Sequence, residues 1–278
     1  MKIFPVSIVI LAVLSIIAII LLMVTKKNKE NFSDFRRGTY LNYLMKQTWP
    51  AYFDKKAATV SNGVIRMPFP KGSCGKDKLK NCGISAVALY PSNFDNKKAT
   101  LSAKILFEPG FAFDQGKLGL GFEMGAAGAT GGHGSATASS CRVIFRNGGA
   151  ASCYIYVPLK SKQSDPDLKA FADGKSQYGK EFFLGDFPAG TFKVGVKNSV
   201  SIGVKMNTPG RVNGECFMTI NGKTARKRGI MWLTSNVAQG ITRINHTTFI
   251  GGSHYSSKDQ WLQMSNLKLT PKYPLFKA

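Results

Sequence analysis

Two short stretches concentrate the residues that could do chemistry. Ser140-Cys141-Arg142-Val143-Ile144-Phe145 is followed by Asn147-Gly148-Gly149 and then by Cys153-Tyr154-Ile155-Tyr156-Val157. Side chains alternate along a strand, so Ser140 and Arg142 share one face while Cys141, Val143 and Phe145 take the other. Tyr154 and Tyr156 likewise oppose Cys153, Ile155 and Val157. If the two strands pair as a hairpin through the Asn-Gly turn, a hydroxyl, a guanidinium and two phenols line one surface. Lys117, in Gln115-Gly116-Lys117-Leu118-Gly119-Leu120, and His133, in the glycine-rich run from Gly125 to Gly134, can be brought to its edge.

These groups suit β-elimination on a polymer of uronic acids. An arginine holds the uronate carboxylate bidentately and stabilises the enolate-like charge that develops as the C5 proton leaves. A tyrosinate, lysine or histidine abstracts that proton, and a tyrosine or lysine protonates the departing O4. The same spacing also fits an ordinary strand pair whose polar residues face water. No cofactor or metal is expected. Gly174-Lys175-Ser176 ends like a phosphate-binding loop but has Lys169 where the first glycine is required, and Gly119-x-Gly121 lacks the third glycine of a dinucleotide site. Cys74 and Cys82 have no histidine nearby to complete a zinc site. Arg226-Lys227-Arg228 reads as a solvated turn face, so no specific nucleic-acid partner is expected.

The elements that must position these residues are strands. Ala99, Leu101, Ala103, Ile105 and Phe107 alternate with polar residues, as do Val200, Ile202, Val204 and Met206, and Cys216, Met218 and Ile220 lead into Asn221-Gly222. Each pattern is that of a half-buried strand. No long amphipathic helix competes, so residues 60–278 read as an all-β domain, an antiparallel β-sandwich or jelly roll.

An anchor precedes it. From Phe4 to Val24 no side chain is charged, and at about 1.5 Å per residue such a helix crosses a bilayer core of about 30 Å. The stretch is longer than the core of a signal peptide and has no small-residue cleavage site, so residues 1–25 are expected to form one N-terminal transmembrane helix with the lipid bilayer as partner. Lys26, Lys27, Lys29, Arg36 and Arg37 follow the span and only Lys2 precedes it, which places the C-terminal domain on the cytoplasmic side. Residues 26–59 form a basic juxtamembrane stalk. Five cysteines suit a reducing compartment, although Cys74 with Cys82, or Cys141 with Cys153, could pair in an oxidising one. Sugar on the sequons at Asn31 or Asn245 would overturn the orientation.

The 278 residues carry 38 Lys plus Arg against 15 Asp plus Glu, a net charge of +23, and 44% are apolar. Such a chain builds a sizeable core and seeks a polyanion, and charge alone admits nucleic acid, membrane or acidic polymer.

The block from Phe107-Glu108-Pro109-Gly110 to Lys117-Leu118, the Ser140-x-Arg142 and Tyr154-x-Tyr156 strands, Asn207-Thr208-Pro209-Gly210 with Asn213-Gly214, and Phe249-Ile250-Gly251-Gly252 resemble polysaccharide lyase family 14, the alginate and glucuronan lyases. The resemblance covers roughly residues 60 to 272. It implies a β-jelly roll whose lysine, histidine, Ser-x-Arg pair and Tyr-x-Tyr pair fall on Lys117, His133, Ser140, Arg142, Tyr154 and Tyr156. It also implies an anionic polysaccharide as partner, with His133 and Ser140 orienting the sugar. Gly119 stands where the family commonly has a proline. The alternative keeps the fold and drops the chemistry. It is a minor capsid or virion membrane protein of a large icosahedral DNA virus, with capsid proteins as partners. A third reading is a carbohydrate-binding sandwich without turnover.

Overall fold

The computed structural model describes residues 58–73, 82–84, 87–91, 94–126, 129–234, 239–252 and 254–276. The stretch 4–24 and the basic stalk up to residue 57 lie outside them, and Thr59, the last stalk residue expected from the sequence, already belongs to a strand. Among the described residues no helix is long and apolar enough to cross a membrane.

Two antiparallel sheets pack face to face. The first runs in the order β1 (Thr59–Ser61), β2 (Val64–Phe69), β14 (Gln260–Thr270), β4 (Lys98–Phe107), β9 (Lys197–Lys205), β10 (Gly214–Ile220) and β11 (Lys223–Ile230). The second runs β3 (Val87–Leu89), β12 (Ile241–Asn245), β5 (Gly116–Gly125), β6 (Ala138–Arg146), β7 (Ala150–Tyr156) and β8 (Lys180–Phe182), with β13 (Thr248–Ile250) also paired to β5. The strands expected from alternation all form. In β4, Ala99, Leu101, Ala103, Ile105 and Phe107 are buried while the residues between them are partly exposed. Asn221 and Gly222 take the positive φ values of 50° and 87° that a two-residue hairpin demands, and join β10 to β11. The Asn147–Gly149 turn joins β6 to β7, whose register pairs Arg142 with Tyr154 and Ser140 with Tyr156.

Phe107 anchors one end of the core, its ring centroid 4.9 to 5.9 Å from those of Phe113, Phe111, Phe192 and Phe145. Burying one such ring stabilises the fold by about 1.5–3 kcal/mol.

One short helix, α1 (Pro166–Ala172), was not expected, because seven residues are too few to show a helical period. Its signal is the cap: Asp165 Oδ1 accepts from the backbone N–H groups of Asp167 and Leu168 at 2.9 and 3.0 Å, and Pro166 opens the first turn. Arg226-Lys227-Arg228 is also not a solvated turn face. These residues lie within β11, Arg226 ion-paired to Glu215 and Lys227 to Asp165, because that strand's edge meets the segment leading into α1. Cys82 is disulfide-bonded, whereas Cys141 and Cys153 are buried free thiols, as is Cys216.

Candidate active site

Cross-strand register turns the alternation of neighbouring strands into rows on the outer face of the second sheet. One row runs Asn245, Gly121, Arg142, Tyr154 and Glu181, and the next Arg243, Glu123, Ser140 and Tyr156. Lys117 follows beyond a register irregularity in β5, opposite Phe249, with its Nζ 5.0 Å from the centre of that ring. Gly121 is a matter of space. A Cβ there would stand 2.6 Å from the Cys141 carbonyl oxygen and 2.7 Å from the Arg142 Cβ, closer than atoms of a fixed strand allow.

Arg142 is 4% exposed, yet among the described residues its Nε and Nη2 have no hydrogen-bond partner. Burial lowers its pKa, and the nearby Glu123 charge opposes that shift, so the guanidinium stays a cation with donors unused. Buried polar groups are ordinarily satisfied, so unused donors on a buried cation are a site built for an anion from outside the chain. The carboxylates nearby are engaged elsewhere. Glu123 accepts from Asn245 Nδ2 at 2.7 Å and stands 3.8 Å from Arg243, while Glu181 accepts from Arg146 Nε at 3.0 Å and Ser152 Oγ at 2.8 Å.

Lys117 has no carboxylate partner among the described residues. Burial, followed by the charges of Arg142 and Arg146, pushes its amine down to about 7, so near neutrality a large share is uncharged. Tyr154 goes the other way. Its hydroxyl lies 3.2 Å from that of Tyr156, and burial, that hydrogen bond and the charge of Glu181 raise its pKa, which keeps the phenol protonated. One face therefore holds a buried guanidinium with unused donors, an amine with a lowered pKa and a phenol held protonated.

The other three expected residues play into a turn. Thr130 and His133 exchange backbone hydrogen bonds of 3.2 and 3.0 Å around Gly131 and Gly132, both at positive φ. Ser140 and Tyr156 are fully buried beneath it: Ser140 Oγ donates to the Ala129 carbonyl at 2.6 Å, and Tyr156 Oη accepts from the Gly132 N–H at 2.9 Å. His133 is exposed on the turn. The ring of Phe171, from α1, packs edge-on against Tyr156 at 5.2 Å. Glu123, Arg146 and Glu181 were not singled out in the sequence, and Asn245 and Phe249 were noted there only as part of a sequon and of a family motif. A glutamate in the otherwise apolar Gly119–Met124 run was the available signal.

Asn245 and His246, neighbours in one sequon, are both buried. Asn245 is 5% exposed and its side-chain amide donates to Glu123, so it is committed inside the folded domain. His246 is buried with Nδ1 2.8 Å from the Gly119 carbonyl, and burial lowers its pKa to about 4. No cluster of three metal-ligating side chains occurs among the described residues. A cavity of about 290 Å³ lined by Arg66, Pro68, Glu108 and Trp261 lies on the first sheet and contains none of the groups above.

The fold is an antiparallel β-sandwich with a buried arginine, a lysine and a tyrosine pair on the outer face of one sheet. The polysaccharide lyase 14 family model matches residues 57–267, and the chain belongs to that family. It is 28% identical over 209 residues to the exolysin of Paramecium bursaria Chlorella virus 1, a match covering 66% of this chain and 31% of that protein, so the chain spans about a third of the length of this curated relative. Among solved structures it is similar to alginate lyase vAL-1 from a Chlorella virus, with 30% identity, a TM-score of 0.70, and coverage of 78% of this chain and 88% of that one. The marine PL-14 alginate lyase from Aplysia kurodai, at 22% identity and a TM-score of 0.62 over 77% and 87% of the two chains, shares the fold.

Proposed function

We propose that this protein cleaves an anionic polyuronate of the alginate or glucuronan type by β-elimination. The observation that carries the proposal is Arg142, a buried cation with unused donors, placed directly opposite Tyr154 and close to Lys117. The guanidinium binds the carboxylate of the sugar to be cleaved and, as the C5 proton leaves, stabilises the charge that spreads onto it. Neutral Lys117 takes that proton. The C5–H electron pair forms the C4–C5 double bond, the C4–O4 bond breaks, and Tyr154 protonates the departing O4. Lys117 then releases its proton to water and Tyr154 takes one up from water, while the buried Tyr156 holds the Tyr154 phenol in place through their hydroxyl contact. Ser140 and Tyr156 hold the turn that presents His133 to the sugar, and the wider positive charge gathers the polyanion.

The full chain is incubated with alginate and with glucuronan, and the ultraviolet absorbance of the unsaturated product is followed. Product from at least one polymer, lost in Arg142→Ala, is expected; unchanged activity in Arg142→Ala rejects the mechanism. The reading of residues 4–24 as a bilayer anchor stays a proposal on hydropathy and flanking charge. Retention of the full chain after alkali washing of membranes, with the sandwich digested by added protease in sealed vesicles whose cytoplasmic face points outward, tests it.

A further inference from the structure

Tyr178 is 56% exposed and stands at the border of the site just described. Three features fix it there. A Cβ on Gly132 would lie 3.0 Å from Tyr178 Cε1, so the ring rests against the same turn that carries His133, with Gln177 Nε2 3.6 Å from that point. The Gly132 N–H is bonded to Tyr156, so the Tyr178 ring and the Tyr156 hydroxyl meet the same residue. On the other side the chain cannot sink, because a Cβ on Gly179 would lie 2.7 Å from Tyr156 Cδ2, while Ser176 Oγ closes the segment by donating to the Tyr178 carbonyl at 2.8 Å.

The result is an aromatic ring held outward beside a site for an anionic sugar. Neither the hydrophobic core nor the proton-transfer groups require it, and its ring is free to meet a ligand from outside the chain. A pyranose offers one face of C–H groups that an aromatic ring covers well, and its rim of hydroxyls and carboxylate suits an amide such as that of Gln177. We infer that Tyr178, with Gln177 beside it, is a further sugar-binding subsite that stacks a uronate residue of the polymer next to the one held by Arg142. This rests on the polyuronate reading above. The subsite adds reach: polymer that extends past the His133 turn gains the stack, and a short oligomer that ends before it does not.

The test compares Tyr178→Ala, Tyr178→Phe and the unaltered full chain. Polymer affinity is read by retardation in gels cast with alginate or glucuronan, and KM and kcat are read on polymer and on an unsaturation-free trimer. Tyr178→Ala is expected to raise the polymer KM about five- to tenfold with kcat changed less than twofold, to leave the trimer KM unchanged, and to weaken retardation equally. Tyr178→Phe keeps the ring and is expected to behave as the unaltered chain. Equal retardation by the unaltered chain and Tyr178→Ala, or a KM rise as large on trimer as on polymer, overturns the subsite. Retardation that depends on Tyr178 in a chain that forms no unsaturated product overturns the lyase reaction and leaves the subsite standing. Thermal melting of Tyr178→Ala unchanged from that of the unaltered chain separates lost binding from lost fold.

Discussion

Arg142 and Tyr154 face each other directly across β6 and β7, and Gly121 and Glu181 occupy the next positions on either side of them in the same row. A guanidinium and a phenol are thereby set side by side on two paired strands.

Removing the guanidinium should abolish turnover while sparing the fold. Arg142→Ala is expected to lower kcat about 10²- to 10³-fold, the scale of losing a preorganised charge at a developing anion. Arg142→Lys restores little, because a single ammonium cannot replace the two-pronged grip. Arg142→Met is expected to melt no lower than the parent, since it removes a buried cation whose Nε and Nη2 bond to nothing. A large fall in melting temperature for Arg142→Met would show the arginine to be a structural group.

The amine of Lys117 predicts the pH profile. As a base it works deprotonated, so kcat/KM is expected to rise with pH through about 7 and then level off. Tyr154 is held protonated far above neutrality and gives no falling limb in the ordinary alkaline range. Arg146 is one of the charges that depress Lys117, so Arg146→Met is expected to move the rising limb to higher pH. A limb that stays put or moves down would remove Lys117 from the role of base.

Ser140 and His133 form a cycle. Ser140 is buried and holds the Ala129 carbonyl, so its effect on the reaction passes through the turn that carries His133. Ser140→Ala is expected to lower kcat/KM about tenfold and His133→Ala by more, with the double variant no worse than His133→Ala alone. Additive losses would mean that Ser140 meets the sugar independently.

Two glycines test the packing of β5 and its surroundings. Gly121→Ala drives a methyl into the Cys141 carbonyl and the Arg142 Cβ and is expected to cost about 1–3 kcal/mol in denaturant unfolding, together with activity. Gly185 has nothing within 4 Å of its added Cβ and an ordinary φ, so Gly185→Ala is expected to change stability by less than about 0.5 kcal/mol.

His246 sets an acid limit on stability. Its folded pKa of about 4 lies below the unfolded value of about 6.5, so the unfolded chain binds the proton first. Its share of stability is complete above about pH 6.5 and is lost as pH falls toward 4, a loss on the order of 3 kcal/mol. Unfolding midpoints measured from pH 7 to pH 4 should fall less steeply in His246→Asn than in the parent.

Which side chains share a face is set by the order of residues alone. Alternation is a local property of an extended chain, so it pairs Ser140 with Arg142 and Tyr154 with Tyr156, and the hairpin turns at Asn147–Gly149 and Asn221-Gly222 are equally local. Their resemblance to one lyase family was legible for the same reason. Depth and ionisation come instead from the folded sandwich. Ser140 and Tyr156 look like surface groups in the sequence and are buried, because a turn 11 residues away in the chain for one and 24 for the other folds over them. The Lys117 amine is pushed down only where burial and the charges of Arg142 and Arg146 act on it, and the Arg142 donors stay unused because the neighbouring carboxylates are committed to other partners. Burial and pKa depend on contacts between residues distant in the chain, which periodicity does not encode.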